Sequence, residues 1–302
     1  MHEGSRRAII AAFAANMGIA AAKFIGFAFT GSASMLAEAV HSVADTGNQG
    51  LLLFGSKRAI REATAEHPFG FGRERYFWSF VVALVLFSLG GAFALVEGVD
   101  KLRHPHAPES LWWAVTVLAI AFVLESFSFK TAIREANIER GDTGWYRFLQ
   151  AAKSPELPVV LLEDSGALVG LAFALLGVVT AKVTGNARWD AVGSLAIGAL
   201  LCAVAAFLAI EMKGLLIGES ATPAMEDTIV AAIRDAPRVR RIIHLRTEHL
   251  GPDEVLLAAK VEFDHDLTIT ELADAIDAAE ALVRAQVPEA LIIYIEPDIY
   301  RG

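Results

Sequence analysis

The chain has 302 residues, 55% of them apolar, a mean hydropathy of +0.47 and a net charge of −9. A compact water-soluble domain rarely combines these values, so the sequence reads first as a membrane protein. Residues 1–218 hold 18 Lys+Arg and 18 Asp+Glu, whereas residues 219–302 hold 8 and 17, so an apolar near-neutral body carries an acidic tail. That tail repels phosphate backbones, which excludes nucleic acid as a partner. A single cysteine, Cys202, excludes an intramolecular disulfide and a Cys-based zinc finger.

Six apolar stretches are predicted to cross the bilayer: Ala8–Thr30, Ala33–Gly55, Phe77–Glu97, Leu111–Phe129, Leu157–Lys182 and Ala187–Ile210. The first is too long for a signal peptide and is expected to stay as a helix. With the N-terminus inside, twelve Lys/Arg fall on the inner side (Arg6, Arg7 and the groups at 57–75 and 130–153) against four outside, Lys101, Arg103, Lys182 and Arg188. Both termini are therefore expected to be cytoplasmic. The short turn Thr30-Gly31-Ser32 makes the first two helices antiparallel neighbours. Beyond Gly218 short elements take over: helix Met225–Asp235, strand Arg240–Glu248, turn Gly251-Pro252-Asp253, strand Val255–Phe263, helix Thr270–Gln286 and strand Ala290–Ile295. The expected domains are a six-helix transmembrane body, 1–218, and a cytoplasmic αββαβ domain, 219–302, of α+β class with helices on one face of the sheet.

Ionisable residues inside spanning helices need a partner or a task. The densest set is AEAVHSVADTGNQ in the second span, where His41, Asp45 and Asn48 share one helical face. Imidazole, carboxylate and amide oxygen on one stripe make half of a divalent-metal site. The fifth span offers Glu163-Asp164, and counting at ~1.5 Å per residue puts Asp45 and Asp164 at the same depth. Metal or proton binding is the expected task. Adjacent residues point ~100° apart, so Asp164, leading the polar continuation Ser165-Gly166, is the better partner than Glu163. Lys23 is expected to snorkel or pair with an acid, Glu125 to pair with Lys130 or mark an entrance, Glu97 with Asp100 and Lys101 to mark an interface, and Asp190 to cap its own helix. His104 and His106 read as loop residues. Gly18, Gly26, Gly170 and Gly177 would allow close helix contacts.

These features, GSASMLAEAVHSVADTGNQ, HPFGFGRERYFW before the third span, an EG…KL end to that span, the acidic LLEDSGALVG and the αββαβ tail, together resemble the cation diffusion facilitator family over nearly the whole chain. The versions of the two ligand-bearing runs look most similar to the branch that includes a mitochondrial zinc carrier of animals. The resemblance implies a homodimer, formed through the transmembrane and C-terminal domains, that exports Zn²⁺, with Mn²⁺ or Fe²⁺ as alternatives, from the cytosol in exchange for protons. It implies no enzyme activity and no cofactor beyond the transported cation. A ferredoxin-like tail and residence in a bacterial inner membrane are expected. Family ligand pairs map onto His41 and Asp45, and onto Val160 and Asp164. Valine cannot ligate, so Asn48, Glu163 or water would complete the shell. In the tail the family's ligand positions hold Ile243, Lys260, Tyr294 and Glu296, which argues against a metal pair there; His244, His249 and His265 are expected on the surface, and Ala136–Glu156 carries no His-rich loop. A channel, an intramembrane metalloenzyme and a membrane-anchored sensor are the rivals, the second lacking any HExxH run.

Overall fold

The computed structural model describes the backbone of residues 3–105 and 111–301 and the side chains of residues 17–105 and 112–301. The side chains of Arg6, Arg7 and His106, which entered the sequence reading, lie outside the described residues. By contacts the chain forms two compact units, one of residues 1–55, 78–150 and 155–212, the other of residues 56–77, 151–154 and 213–302.

Helices dominate the first unit: α1 (Glu3–Thr30), α2 (Ala33–Ala59), α3 (Glu74–Val85), a π-helical segment (Leu86–Ala92) leading straight into α4 (Phe93–Arg103), α5 (Leu111–Arg140), α6 (Trp145–Ala151), α7 (Glu156–Thr184) and α8 (Arg188–Ile217). Among the described residues four helical stretches are long and apolar enough to cross a membrane: Glu74–Arg103, Trp112–Arg140, Glu156–Thr184 and Arg188–Ile217. The polar run from His41 to Gln49 lowers the hydropathy of α2, which is not among them. Large apolar side chains such as Ile120, Phe127, Leu176 and Ile210 are more than half exposed on these helices; so much outward apolar surface calls for lipid rather than water.

A left-handed Gly31, φ 57°, turns α1 into α2. Between the helices a core of Met35, Val82, Leu86, Leu118, Leu171, Ile197 and Leu201 closes around the polar side chains described below. Helices α7 and α8 meet backbone to backbone: a Cβ on Gly177 would lie 3.0 Å from Trp189 O and 3.3 Å from Gly193 Cα. Gly26 likewise packs against Met35 and Val117, whereas Gly18 faces open space.

Three local features differ from expectation. The third span is interrupted by the π turn at Leu86–Ala92, which contains Gly90 and Gly91. Instead of one connection after Phe129, α5 continues to Arg140 and the seven-residue α6 follows. Asp190, in the first turn of α8, does not cap its own helix; its carboxylate accepts from Ser32 Oγ (2.7 Å), Ala33 N (2.9 Å) and Ser34 Oγ (2.5 Å). It thereby caps the start of α2 from across the bundle, where the first backbone N–H groups have no partner of their own.

The second unit contains α9 (Pro223–Arg234), β1 (Val239–Gly251), β2 (Glu254–Phe263), α10 (Ile269–Gln286) and β3 (Ile292–Pro297). The strands form one sheet in the order β1-β2-β3. An antiparallel hairpin pairs β1 with β2, and β3 returns parallel to β2 after the α10 crossover. Val255, Leu257, Ala259, Val261 and Phe263 are buried in alternation, and the last four pack with Ile229, Ile233, Ala275 and Val283 of the two helices. Thr268 closes a capping box with Glu271 at the start of α10. The HPFGFGRER run belongs to this unit: a Cβ on Gly72 would come 2.7 Å from Leu250 O, Arg75 Nη1 bonds Asp253 Oδ2 at 2.7 Å, and Arg73 pairs with Glu248. The motif is thus seated on the β1–β2 turn.

Candidate metal centre

Helix α2 presents His41, Asp45 and Asn48 on one face, as their spacing requires. His41 is fully buried and its Nδ1 stands 3.3 Å from Asp45 Oδ1. Among the described residues neither imidazole nitrogen, nor Asp45 Oδ1, nor Asn48 Oδ1 has a hydrogen-bond partner. Each such buried group costs roughly 1–3 kcal/mol unless something else satisfies it. Gly90 of the π segment stands beside the imidazole: a Cβ there would lie in ordinary contact, 3.8 Å from His41 Nδ1, and 3.1 Å from Leu201 Cδ1.

Across from α2, Glu163 of α7 accepts from Asn48 Nδ2 at 2.6 Å. Helices α2 and α7 therefore meet at Asn48 and Glu163. Asp164 is turned towards α5 and accepts from Ser128 Oγ at 3.0 Å. The five candidate residues thus fall into three pairs, His41–Asp45, Asn48–Glu163 and Ser128–Asp164. Among the described residues no three His, Cys, Asp or Glu side chains stand close enough to hold a metal ion. Val160, one turn before Asp164 on α7, packs with the apolar core.

A second buried polar group lies beside these pairs. Lys23 of α1, fully buried, reaches Ser42 Oγ at 2.6 Å, Glu38 Oε2 at 3.1 Å and Glu125 Oε1 of α5 at 3.8 Å. Lys23 does not snorkel, and Glu125 finds Lys23 rather than Lys130. Glu38 was not singled out by the sequence, where it is one more polar residue in an already polar run; its signal is its position one turn from His41 in an apolar bundle. Near the other end of the helices, Lys101 donates to the Gly31 carbonyl and His104 stands 3.3 Å from Asp100.

In the second unit Lys260 pairs with Glu296 (3.0 Å) and Asp298 (3.4 Å). A cation already fills the place between those strand carboxylates. His244 and His265 are exposed, but His249 is buried, with Nδ1 3.2 Å from the Gly251 carbonyl and no partner at Nε2. Its expected surface position is corrected by the β1–β2 turn, which folds over the ring. Burial lowers the His249 pKa from its usual value, helped by the charge of Lys153 and opposed by the Gly251 carbonyl and by Glu219 and Glu289.

Such a molecule, with polar pairs buried between apolar helices and a small α+β tail, falls within the class of multi-pass integral-membrane proteins. Residues 9–217 match the cation efflux transmembrane domain and residues 221–298 the cation efflux protein cytoplasmic domain. The chain belongs to the cation diffusion facilitator, or cation efflux, family, whose members are transporters and not enzymes. Among its relatives are proteins named proton-coupled zinc antiporter SLC30A9, mitochondrial, of Mus musculus and Homo sapiens, each 35% identical over 244 residues. Those alignments cover 80% of this chain and 43% of each relative. Metal tolerance protein C4 of Arabidopsis thaliana is 30% identical over 267 residues, 88% of this chain and 58% of that protein. The chain therefore spans about half the length of the curated relatives it matches.

Proposed function

We propose that the protein is a secondary transporter that carries a divalent cation, Zn²⁺ before Mn²⁺ or Fe²⁺, out of the cytosol in exchange for protons. The observation that carries this reading is the unpartnered set on α2: both nitrogens of His41, Asp45 Oδ1 and Asn48 Oδ1, buried together in a bundle that faces lipid. A cation held by His41 and Asp45 would satisfy these atoms, with Asp164, Glu163 and Asn48 completing the shell as the pairs rearrange. One imidazole with oxygen ligands suits Zn²⁺ without excluding harder ions. The relatives' printed name, zinc antiporter, supports zinc and proton coupling. Protons compete for the same ligands on the more acidic side and displace the cation there.

In this reading α1 and α2 span the membrane with the four more apolar stretches, giving six spans over residues 1–218. Both termini lie in the cytosol, as the Lys/Arg asymmetry favours. The tail, 219–302, joins two copies as a homodimer that the transmembrane helices also share, in the inner membrane of a bacterium. Proteoliposomes holding the full chain should show saturable Zn²⁺ flux that follows a pH gradient, and Asp45→Ala and Asp164→Ala should each abolish it. Zinc binding without flux would count against transport, and linear, unsaturable flux would favour a channel.

A further inference from the structure

Lys23, Glu38 and Glu125 form a charge cluster that metal binding at His41 and Asp45 does not use. Two carboxylates share one ammonium there, so the ionised cluster carries one excess negative charge, sealed in a bundle where an unbalanced charge is costly. Glu38 is fully buried; one of its oxygens faces Lys23, and the other, Oε1, has no hydrogen-bond partner. That free oxygen lies against Gly170 of α7, where a Cβ would come 2.4 Å from it. Among the described residues no third His, Cys, Asp or Glu completes a metal site with these two carboxylates, whereas a proton needs a single carboxylate oxygen.

We propose that Glu38 and Glu125, bridged by Lys23, form a proton-binding site separate from the metal ligands, and that its proton leaves when a cation binds at His41 and Asp45. This rests on the transport reading given above. The charged and titratable groups around the site are Lys23 on α1, His41 and Asp45 on α2, Glu125 on α5, and Glu163 and Asp164 on α7. Glu38 lies one helical turn from His41, so a dication at the metal site stands roughly 8–10 Å away and weakens proton binding about 300- to 1,000-fold at an effective dielectric near 20. The O–H bond of the carboxylic acid breaks, its electron pair stays on the carboxylate, and the proton passes to water. By linkage, the proton weakens cation binding by the same factor. Exchange of one for the other is then built into two neighbouring sites, in addition to the competition at the metal ligands themselves.

The test is the pH dependence of Zn²⁺ affinity, measured by titrating the purified full chain between pH 6 and 8. Log Kd falls as pH rises, and each proton released on binding adds about one to the steepness of that fall. Glu38→Gln and Glu125→Gln should each lower the wild-type steepness by about one, because either change removes the excess charge that the proton balances. Glu38→Asp, which keeps the carboxylate, should restore it. Slopes equal to wild type in both glutamine variants would overturn the proposal. So would complete loss of Zn²⁺ binding in a well-folded, monodisperse Glu38→Gln protein, since Glu38 would then be a ligand. If the wild type itself binds no Zn²⁺, the transport reading fails first, and that result is distinct from an unchanged slope.

Discussion

Removing the carboxylate of Asp190 should loosen the helix that carries His41 and Asp45. Asp190 is fully buried and accepts three hydrogen bonds from the start of α2. Each charge-assisted bond contributes about 1.5–3 kcal/mol net, so Asp190→Ala forfeits ~5–9 kcal/mol of interaction. Against that stands the desolvation of a buried carboxylate, several kcal/mol, which the variant no longer bears. A net loss of ~2–5 kcal/mol follows. For a unit of this size each kcal/mol moves the melting temperature by roughly 2–4 °C, so the purified full chain should melt on the order of 5–15 °C lower, read by fluorescence-detected gel filtration after heating. Asp190→Asn keeps one acceptor oxygen and should melt between the two. Were Asp190→Ala to melt within about 2 °C of wild type, the capping role of Asp190 would be refuted.

Gly170→Ala places a methyl where Glu38 Oε1 now lies, 2.4 Å from the ideal Cβ; overpacking of this kind costs about 1–3 kcal/mol, and Zn²⁺ flux should fall well below wild type while Gly18→Ala, in open space, leaves it intact. Val160→His offers α7 a nitrogen ligand one turn from Asp164 and should shift competitive flux towards Zn²⁺ over Mn²⁺, about tenfold or more; an unchanged ratio would mean that position 160 does not face the cation. His249 is held neutral by burial, its pKa lower in the fold than in the unfolded chain. Above the unfolded value of about 6.5 neither state takes the proton; below it the unfolded chain does and the fold resists, so the tail loses stability as pH falls. Hydrogen exchange of the β1–β2 hairpin, corrected for intrinsic rates, should rise from pH 7.5 to 5.5 in wild type and rise less in His249→Gln.

Legibility followed the range of the interaction. The tail hairpin could be read because its turn, Gly251-Pro252-Asp253, and the alternation ending in Val261 and Phe263 are local signals. So could the His41–Asp45–Asn48 stripe, since three residues at spacings of four and three must share a helical face. Depth counting set Asp45 beside Asp164, whereas the packing joins Glu163 to Asn48 and turns Asp164 to Ser128. Lys23 and Glu38 sit fifteen residues apart on two helices, and no spacing rule announces such a pair. Asp190 obeyed the capping rule for the wrong helix: its position near a helix start is local, whereas the donors it serves lie more than 150 residues earlier. The π turn was invisible for a different reason. A stretch such as VALVLFSLGGAFAL is apolar on every side, so it has no phase from which a slip could be noticed.

That slip has a consequence for the residues after it. One wide turn holds an extra residue, and an extra residue rotates everything beyond it by about 100° relative to an unbroken helix. Beyond the wide turn, Lys101 reaches the Gly31 carbonyl and Gly98 meets Leu195. A helical wheel drawn straight through from Glu74 to Arg103 would put both on the wrong side. Deleting one residue within Leu86–Ala92 would return the helix to even winding and turn its far half away from its neighbours, an error far larger than any single side-chain change in the same place.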